Sequence, residues 1–168
     1  MLMMLLISSL CLLPVDCYLP DDHDHDHDPA RKKIEKLATD VVVKFYEAFE
    51  SRDLDALIAM VEVPWFHDGK TILLTKDDIR SEFKALLAKR RDVKERKVPD
   101  VKAVLTYGSV RQRTDPSDRK LLDQVLREDD NLALVMLKPE PGKTGTTENV
   151  VVLVKIKDGV AKVVGVKN

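Results

Sequence analysis

From Ile34 onward, apolar residues return at every third or fourth position: Ile34, Leu37, Ala38, Val41, Val42, Phe45 and Phe49. That spacing places them on one face of a long helix ending near Glu50. Ser51-Arg52-Asp53 interrupts the run, and Asp53 can cap a second, shorter helix carrying Leu54, Leu57, Ile58 and Val61. Val63-Pro64 is expected to end that helix, and a short extended piece follows. Asp68-Gly69 then turns the chain into a strand from Thr71 to Leu74. Thr75 and Asp78 make a capping-box-like pair for a third helix whose buried stripe is Ile79, Phe83, Leu86 and Leu87. Asp77 and Asp78 fall in its first turn and Lys89, Arg90 and Arg91 in its last, as the helix dipole favours. The basic run therefore reads as a helix end and not as a binding patch.

Beyond it the period changes. Val98 to Val110 alternates loosely, as a strand does, and Asp115-Pro116 opens a short helix through Leu126. Leu132 to Leu137 and Asn149 to Ile156 are continuous apolar runs, the pattern of strands buried on both faces. Gly142-Lys143-Thr144, in the loop between them, resembles the end of a phosphate-binding loop. The earlier glycine such a loop needs is Leu137 here, and no helix follows, so that reading fails. Asp158-Gly159 joins the second run to Val160 to Val166 as a tight hairpin. Helices followed by long strands, with few alternations between them, make an α+β chain.

Composition changes this picture chiefly at the N-terminus. The 168 residues suit one domain, and the 28 basic residues nearly balance the 29 acidic ones, which excludes a strongly basic nucleic-acid coat. The balance conceals a division: residues 1–30 hold six aspartates and no Lys or Arg, leaving 28 basic against 23 acidic residues in the rest. That modest excess is no evidence for nucleic acid. Residues 1–17 begin with an apolar run too short to span a bilayer and suited to a signal peptide, although the usual basic start is missing. Export to the periplasm, the cell envelope or the medium is expected on that ground. Cys17 lies where a lipoprotein would be acylated, but Asp16 occupies a position that requires a small residue. With Cys11 and Cys17 both in or beside the leader, the rest of the chain has no disulfide framework and depends on packing.

Residues 18–30 form an acidic tract in which His23, His25 and His27 alternate with aspartates. In an extended chain the three imidazoles line one side, a donor set competent for zinc, nickel or copper. A segment of this composition has no apolar surface to bury and reads most simply as a solvated linker. Pro29 marks the start of the folded part.

Phe45-Tyr46-Glu47-Ala48-Phe49, followed by Asp53-Leu54-Asp55-Ala56-Leu57 and then a strand and a helix opening near Thr75 to Arg80, resembles the NTF2-like superfamily. That superfamily includes the nuclear transport factor, ketosteroid isomerase, SnoaL-type cyclases and many uncharacterised bacterial proteins. The resemblance covers about residues 32–168. It implies a curved, mostly antiparallel sheet wrapped around the first helix as a cone, with a pocket at the open end. The helix after Pro116 departs from the simplest pattern and is expected to cover or reshape that opening.

The fold does not choose among isomerases, cyclases and pure binding modules. The tyrosine that serves ketosteroid isomerase as an oxyanion donor falls on Phe45, which has no hydroxyl, and its base falls at or beside Asp68. A direct transfer of that chemistry is disfavoured. Two expectations remain. One is a non-catalytic domain holding a small apolar ligand in a pocket lined by Tyr46, Trp65 and Tyr107, or a protein partner, with pairing of two copies through the sheet face. The other is a cofactor-independent isomerase or lyase using Asp68 or His67 as general base. His67-Asp68-Gly69-Lys70 also reads as an exposed turn beside core aromatics, the plainer account of these residue types.

Overall fold

The computed structural model of the chain describes residues 28–67, 69–89 and 96–167; the leader, most of the His/Asp tract and Asp68 lie outside the described residues. Helix α1 (Pro29–Ser51) starts inside the segment expected as linker. Asp28 accepts a hydrogen bond from the Ala30 amide at 2.9 Å, and Pro29 occupies the first turn, where its missing N–H costs nothing. Its 23 residues end where Arg52, at φ 60°, turns left-handed and its amide meets the carbonyls of Ala48 and Phe49. Asp53 then caps α2 (Leu54–Met60), accepting from the Ala56 amide at 2.9 Å.

Strands β1 (Val61–His67) and β2 (Thr71–Leu73) form a hairpin, and α3 (Lys76–Lys89) follows. The capping pair at its start is formed: Thr75 Oγ1 accepts from the Asp78 amide at 3.1 Å and lies 2.6 Å from Asp78 Oδ2. Next come β3 (Lys97–Thr106), the short helices α4 (Tyr107–Arg111) and α5 (Pro116–Leu122), and then β4 (Asn131–Pro139), β5 (Glu148–Lys157) and β6 (Val160–Lys167). Asp158 and Gly159 turn β5 into β6 with φ of 53° and 76°, the left-handed pair that a two-residue hairpin requires. The six strands make one sheet in the order β2-β1-β6-β5-β4-β3, antiparallel except where β1 runs parallel to β6. Register shifts at Val101/Ala103 and at Leu153/Val154 interrupt the ladder, and irregularities of this kind bend a sheet.

Each face of the sheet has its own layer. On the inner face α1 packs against β3, β4, β5 and β6, with α2 and α3 beside it. Val42, Phe45, Leu57 and Ile79 from the helices meet Trp65, Val135, Val152 and Val163 from the strands. On the outer face Phe66, Leu132, Leu153 and Val164 are covered by Tyr107, Leu122, Val125 and Leu126. The doubly apolar β4 and β5 are explained by this arrangement, since both of their faces are buried.

Three expectations are corrected. Val63-Pro64 does not end α2; that helix stops at Met60, and the Val63–Pro64 pair lies within β1. Proline is tolerated there because pairing with β6 is irregular between Val61 and Phe66, and pairing with β2 begins only at Trp65. The strand expected to reach Val110 ends at Thr106. The amides of Tyr107 and Gly108 bond to the carbonyls of Asp130 (2.7 Å) and Glu128 (2.9 Å), which draws the chain off the sheet edge. A Cβ at position 108 would lie 3.1 Å from the Glu128 carbonyl oxygen, a tight contact that a larger residue there would have to relieve by a small shift of Glu128. Lastly, the segment after Pro116 does not lie over the opening of a cone. It stays helical only to Leu122 and lies on the outer face of the sheet, where its apolar side chains find Phe66 and Leu153.

Candidate functional site

Three aromatic rings on the inner face of the sheet lie close to one another. Phe45 from α1, Trp65 from β1 and Phe83 from α3 meet with ring centroids 6.3 Å (Phe45–Trp65), 6.0 Å (Phe45–Phe83) and 5.4 Å (Trp65–Phe83) apart, the last pair edge to face. Such packing favours the offset and edge-on contacts of aromatic quadrupoles and leaves these rings as core.

An open cleft of about 320 Å³ lies between the C-terminal half of α1 and the start of β3. Tyr46, Glu47, Glu50 and Ser51 form its helical wall. Arg96, Lys97, Val98 and Pro99 form the strand wall, and Glu140, just beyond β4, closes one end. The pairing of Lys97 with Pro139 brings these last two walls together. Although charged residues dominate the names, much of the exposed wall is apolar, supplied by side-chain stems, Val98 and Pro99.

Tyr46 is the buried member of this set, 8% exposed, and packs edge to face on Phe45 at 6.1 Å. Burial, and then the negative charge of Glu148, push its phenol well above the usual tyrosine range, so the hydroxyl keeps its proton and can donate. Glu148 is itself paired with Lys97 at 2.7 Å. Tyrosine, carboxylates and one lysine thus share the cleft with no nucleophile activated by a neighbouring base.

Of the three expected ligand residues, Tyr46 and Trp65 share the inner cluster, both beside Phe45, and Tyr107 is separated from them. Tyr46 lines the cleft, Trp65 belongs to the inner core, and Tyr107 is on the opposite face of the sheet. Tyr107 is also not a strand residue but the first of α4, 1% exposed, with its hydroxyl donating to Asp123 Oδ1 at 3.0 Å. Arg111 holds the same carboxylate with two bonds of 2.8 Å. Those bonds, opposed by some desolvation, keep the Asp123 carboxyl below its ordinary range, while burial first and then Asp123 raise Tyr107 to about 12.

His67 ends β1, a quarter exposed, with Nε2 3.7 Å from Glu82 Oε2 on α3. It does not line the cleft. Asp68, the other candidate base, lies outside the described residues, as do His23, His25 and His27. Among the described residues no group of three or more His, Cys, Asp or Glu is placed to hold a metal ion, and no helix is long and apolar enough to cross a membrane.

Glu47, Glu50, Lys97 and Glu140 are the site residues that sequence reasoning missed. Glu47 and Glu50 carry a local signal, two carboxylates one turn apart at the end of a helix whose last turn has no basic residue. Lys97 and Glu140 carry none, because only the β3–β4 register joins them.

No family model and no curated protein matches the chain. Solved structures do. A protein of unknown function with a cystatin-like fold from Nostoc punctiforme aligns at a TM-score of 0.52 and 14% identity, over 82% of this chain and 90% of that one. An NTF2-like protein of unknown function from Pseudomonas putida aligns at 0.50 and 12% identity, over 81% and 85%. A Mycobacterium tuberculosis protein in complex with estradiol-17beta-hemisuccinate aligns at 0.43 and 9% identity, over 77% and 90%, too loosely to bear on this chain's ligand. By the first two likenesses and by its own topology, a long N-terminal helix against a six-stranded, mostly antiparallel sheet, the chain has the NTF2-like fold.

Proposed function

We propose that this chain is an exported, non-catalytic binding domain that holds a small, largely apolar molecule in the cleft between α1 and β3. The observation that supports it is a cleft of about 320 Å³ among the described residues, beside the buried Tyr46 ring. That volume lies at the lower end of small-molecule sites, and one buried polar group on mainly apolar walls is their usual composition. Export rests on the apolar leader alone.

The catalytic alternative has less in its favour. A general base must come within hydrogen-bond reach of the proton it removes. His67 faces Glu82 and stands apart from the cleft. Pairing of two copies through the outer sheet face is disfavoured too, because α4, α5 and the turn after them already cover Phe66, Leu132, Leu153 and Val164.

Val98 is 49% exposed and lines the cleft, so Val98→Trp fills that space without entering the core. In a ligand-observed NMR screen of small apolar compounds, wild type is expected to yield hits that V98W loses while its urea midpoint is unchanged. Hits that bind V98W as well as wild type would remove the cleft from consideration.

A further inference from the structure

A solvated linker accounts for the aspartates of residues 21–28 but not for the histidines among them. Carboxylates keep a segment in water, whereas a neutral imidazole adds little to that task. Yet three of the four histidines in the chain fall within five residues and at strictly alternating positions, His23, His25 and His27, separated by Asp24 and Asp26. Alternate residues of an extended chain lie about 6.6 Å apart on one side, close enough for neighbouring imidazoles to converge on one ion at about 2.0–2.1 Å each. Nitrogen donors of this kind favour zinc, nickel and copper over magnesium and calcium, which prefer oxygen.

The folded part bounds the donor run. Asp28 is engaged as the N-cap of α1, its Oδ1 accepting from the Ala30 amide at 2.9 Å, so the run ends at His27. Arg31, Lys32 and Lys33 follow at once, and the first turn of α1 holds no acidic residue. Arg31 is already paired with Glu35 at 3.0 Å. The five aspartates of residues 21–28 outnumber these cations and leave a local field that draws a positive ion. The remaining histidine is a poorer rival. His67 has one carboxylate near it, Glu82 Oε2 at 3.7 Å from Nε2, and among the described residues no group of three or more such donors comes together.

We propose that His23, His25 and His27, with the aspartates between them, bind one divalent ion of the zinc, nickel or copper class immediately before α1. This site is separate from the α1–β3 cleft and does not depend on the binding reading above.

Zinc is the probe, titrated into the full chain carrying Cys11→Ser and Cys17→Ser so that no thiol contributes, with calorimetry and backbone amide NMR as readouts. One ion per chain is expected to bind at least about tenfold tighter than in the same chain with His23→Asn, His25→Asn and His27→Asn, and to stay bound in about a hundredfold excess of calcium. The amides of residues 30–33 should shift, and those of 46–51 and 96–98 should not. Equal affinity in the two chains overturns the site and returns the tract to a solvated linker. Displacement by calcium overturns it too, because carboxylates alone then hold the ion. Shifts centred on His67 and Glu82, with residues 30–33 unmoved, would put the ion elsewhere and overturn it as well.

Discussion

On the inner face of the sheet, Phe45, Trp65 and Phe83 interlock among aliphatic side chains from three helices and four strands, and the cluster is entirely hydrophobic. On the outer face a smaller apolar cluster is held down by polar bonds: Tyr107 and Arg111 to Asp123, and Lys167 to Asp118. Among the described residues, the buried side-chain polar atom without a hydrogen-bond partner is Arg119 Nε, and it lies in this outer layer. The inner side therefore draws most of its stability from burial, with ion pairs such as Arg80–Asp55 and Lys97–Glu148 at its margins. The outer side adds charge-assisted bonds that are sensitive to pH and salt. One sheet thus carries a permanent core on one face and a more easily loosened cover on the other.

The largest expected effect lies on the inner side. Trp65→Ala removes a ring packed against two others and should cost about 3–5 kcal/mol in urea unfolding. A loss below about 1 kcal/mol would mean that the inner side is not the dominant core. Next is the contact through the sheet itself. A Cβ at Gly165 would lie 2.7 Å from Phe66 Cβ and 2.9 Å from the Phe66 carbonyl oxygen, so Gly165→Ala should cost about 1–3 kcal/mol and disturb the outer cluster selectively. Near-ultraviolet circular dichroism would separate an outer change, which involves Tyr107, from an inner one, which involves Trp65.

Tyr107→Phe keeps the ring and removes the hydroxyl bond to Asp123, at an expected cost of about 1 kcal/mol. Its pH signature is more specific. Tyr107 is raised to about 12 in the folded protein against 10.0 ordinarily, so its contribution is complete below pH 10 and falls away as pH rises toward 12. The variant should lose that part of the alkaline slope and keep the part due to Tyr46, which is also raised. Asp123 has the opposite sign. Its carboxyl is held below 3.8, so the contribution is present above that value and is lost as pH falls through the lowered one. Acid should therefore release the outer cover before the inner core, with amides of residues 107–126 losing exchange protection first. Simultaneous loss on both faces would contradict the comparison. The smallest effect is expected for Lys167→Met, about 0.5 kcal/mol, since its partner Asp118 is in partial contact with water.

How much of this was legible in the sequence depended on the range of the interaction. Asp53, Thr75 with Asp78, and Asp158-Gly159 act within four residues, and each does in the structure what local chemistry requires. The α1 stripe was equally readable, because one face of one helix meets one core. Val63-Pro64 was misread as a stop since its tolerance depends on an irregular pairing with β6, a hundred residues away. Tyr107 was misplaced for the same kind of reason: its backbone partner is Asp130, and its position on the outer face follows from a turn that no local period announces.

The candidate site divides along the same line. Tyr46 could be singled out because an aromatic with a polar tip on a helix that faces a sheet is a recognisable ligand contact, and the acidic pair that follows it is local too. Trp65 could not be told from core by residue type, and only the positions of Phe45 and Phe83 show that its ring is used up in packing. Residue order alone settled α1, α3, the caps at Asp53 and Thr75, the last hairpin and the α+β order, because hydrophobic period and turn chemistry act over a few bonds. Only the tertiary structure decided which face each aromatic serves, that α4 and α5 cover the outside of the sheet, and that Lys97, Glu140 and Tyr46 share a cleft. Those outcomes depend on strand register and sheet curvature, which arise from contacts between residues far apart in the chain.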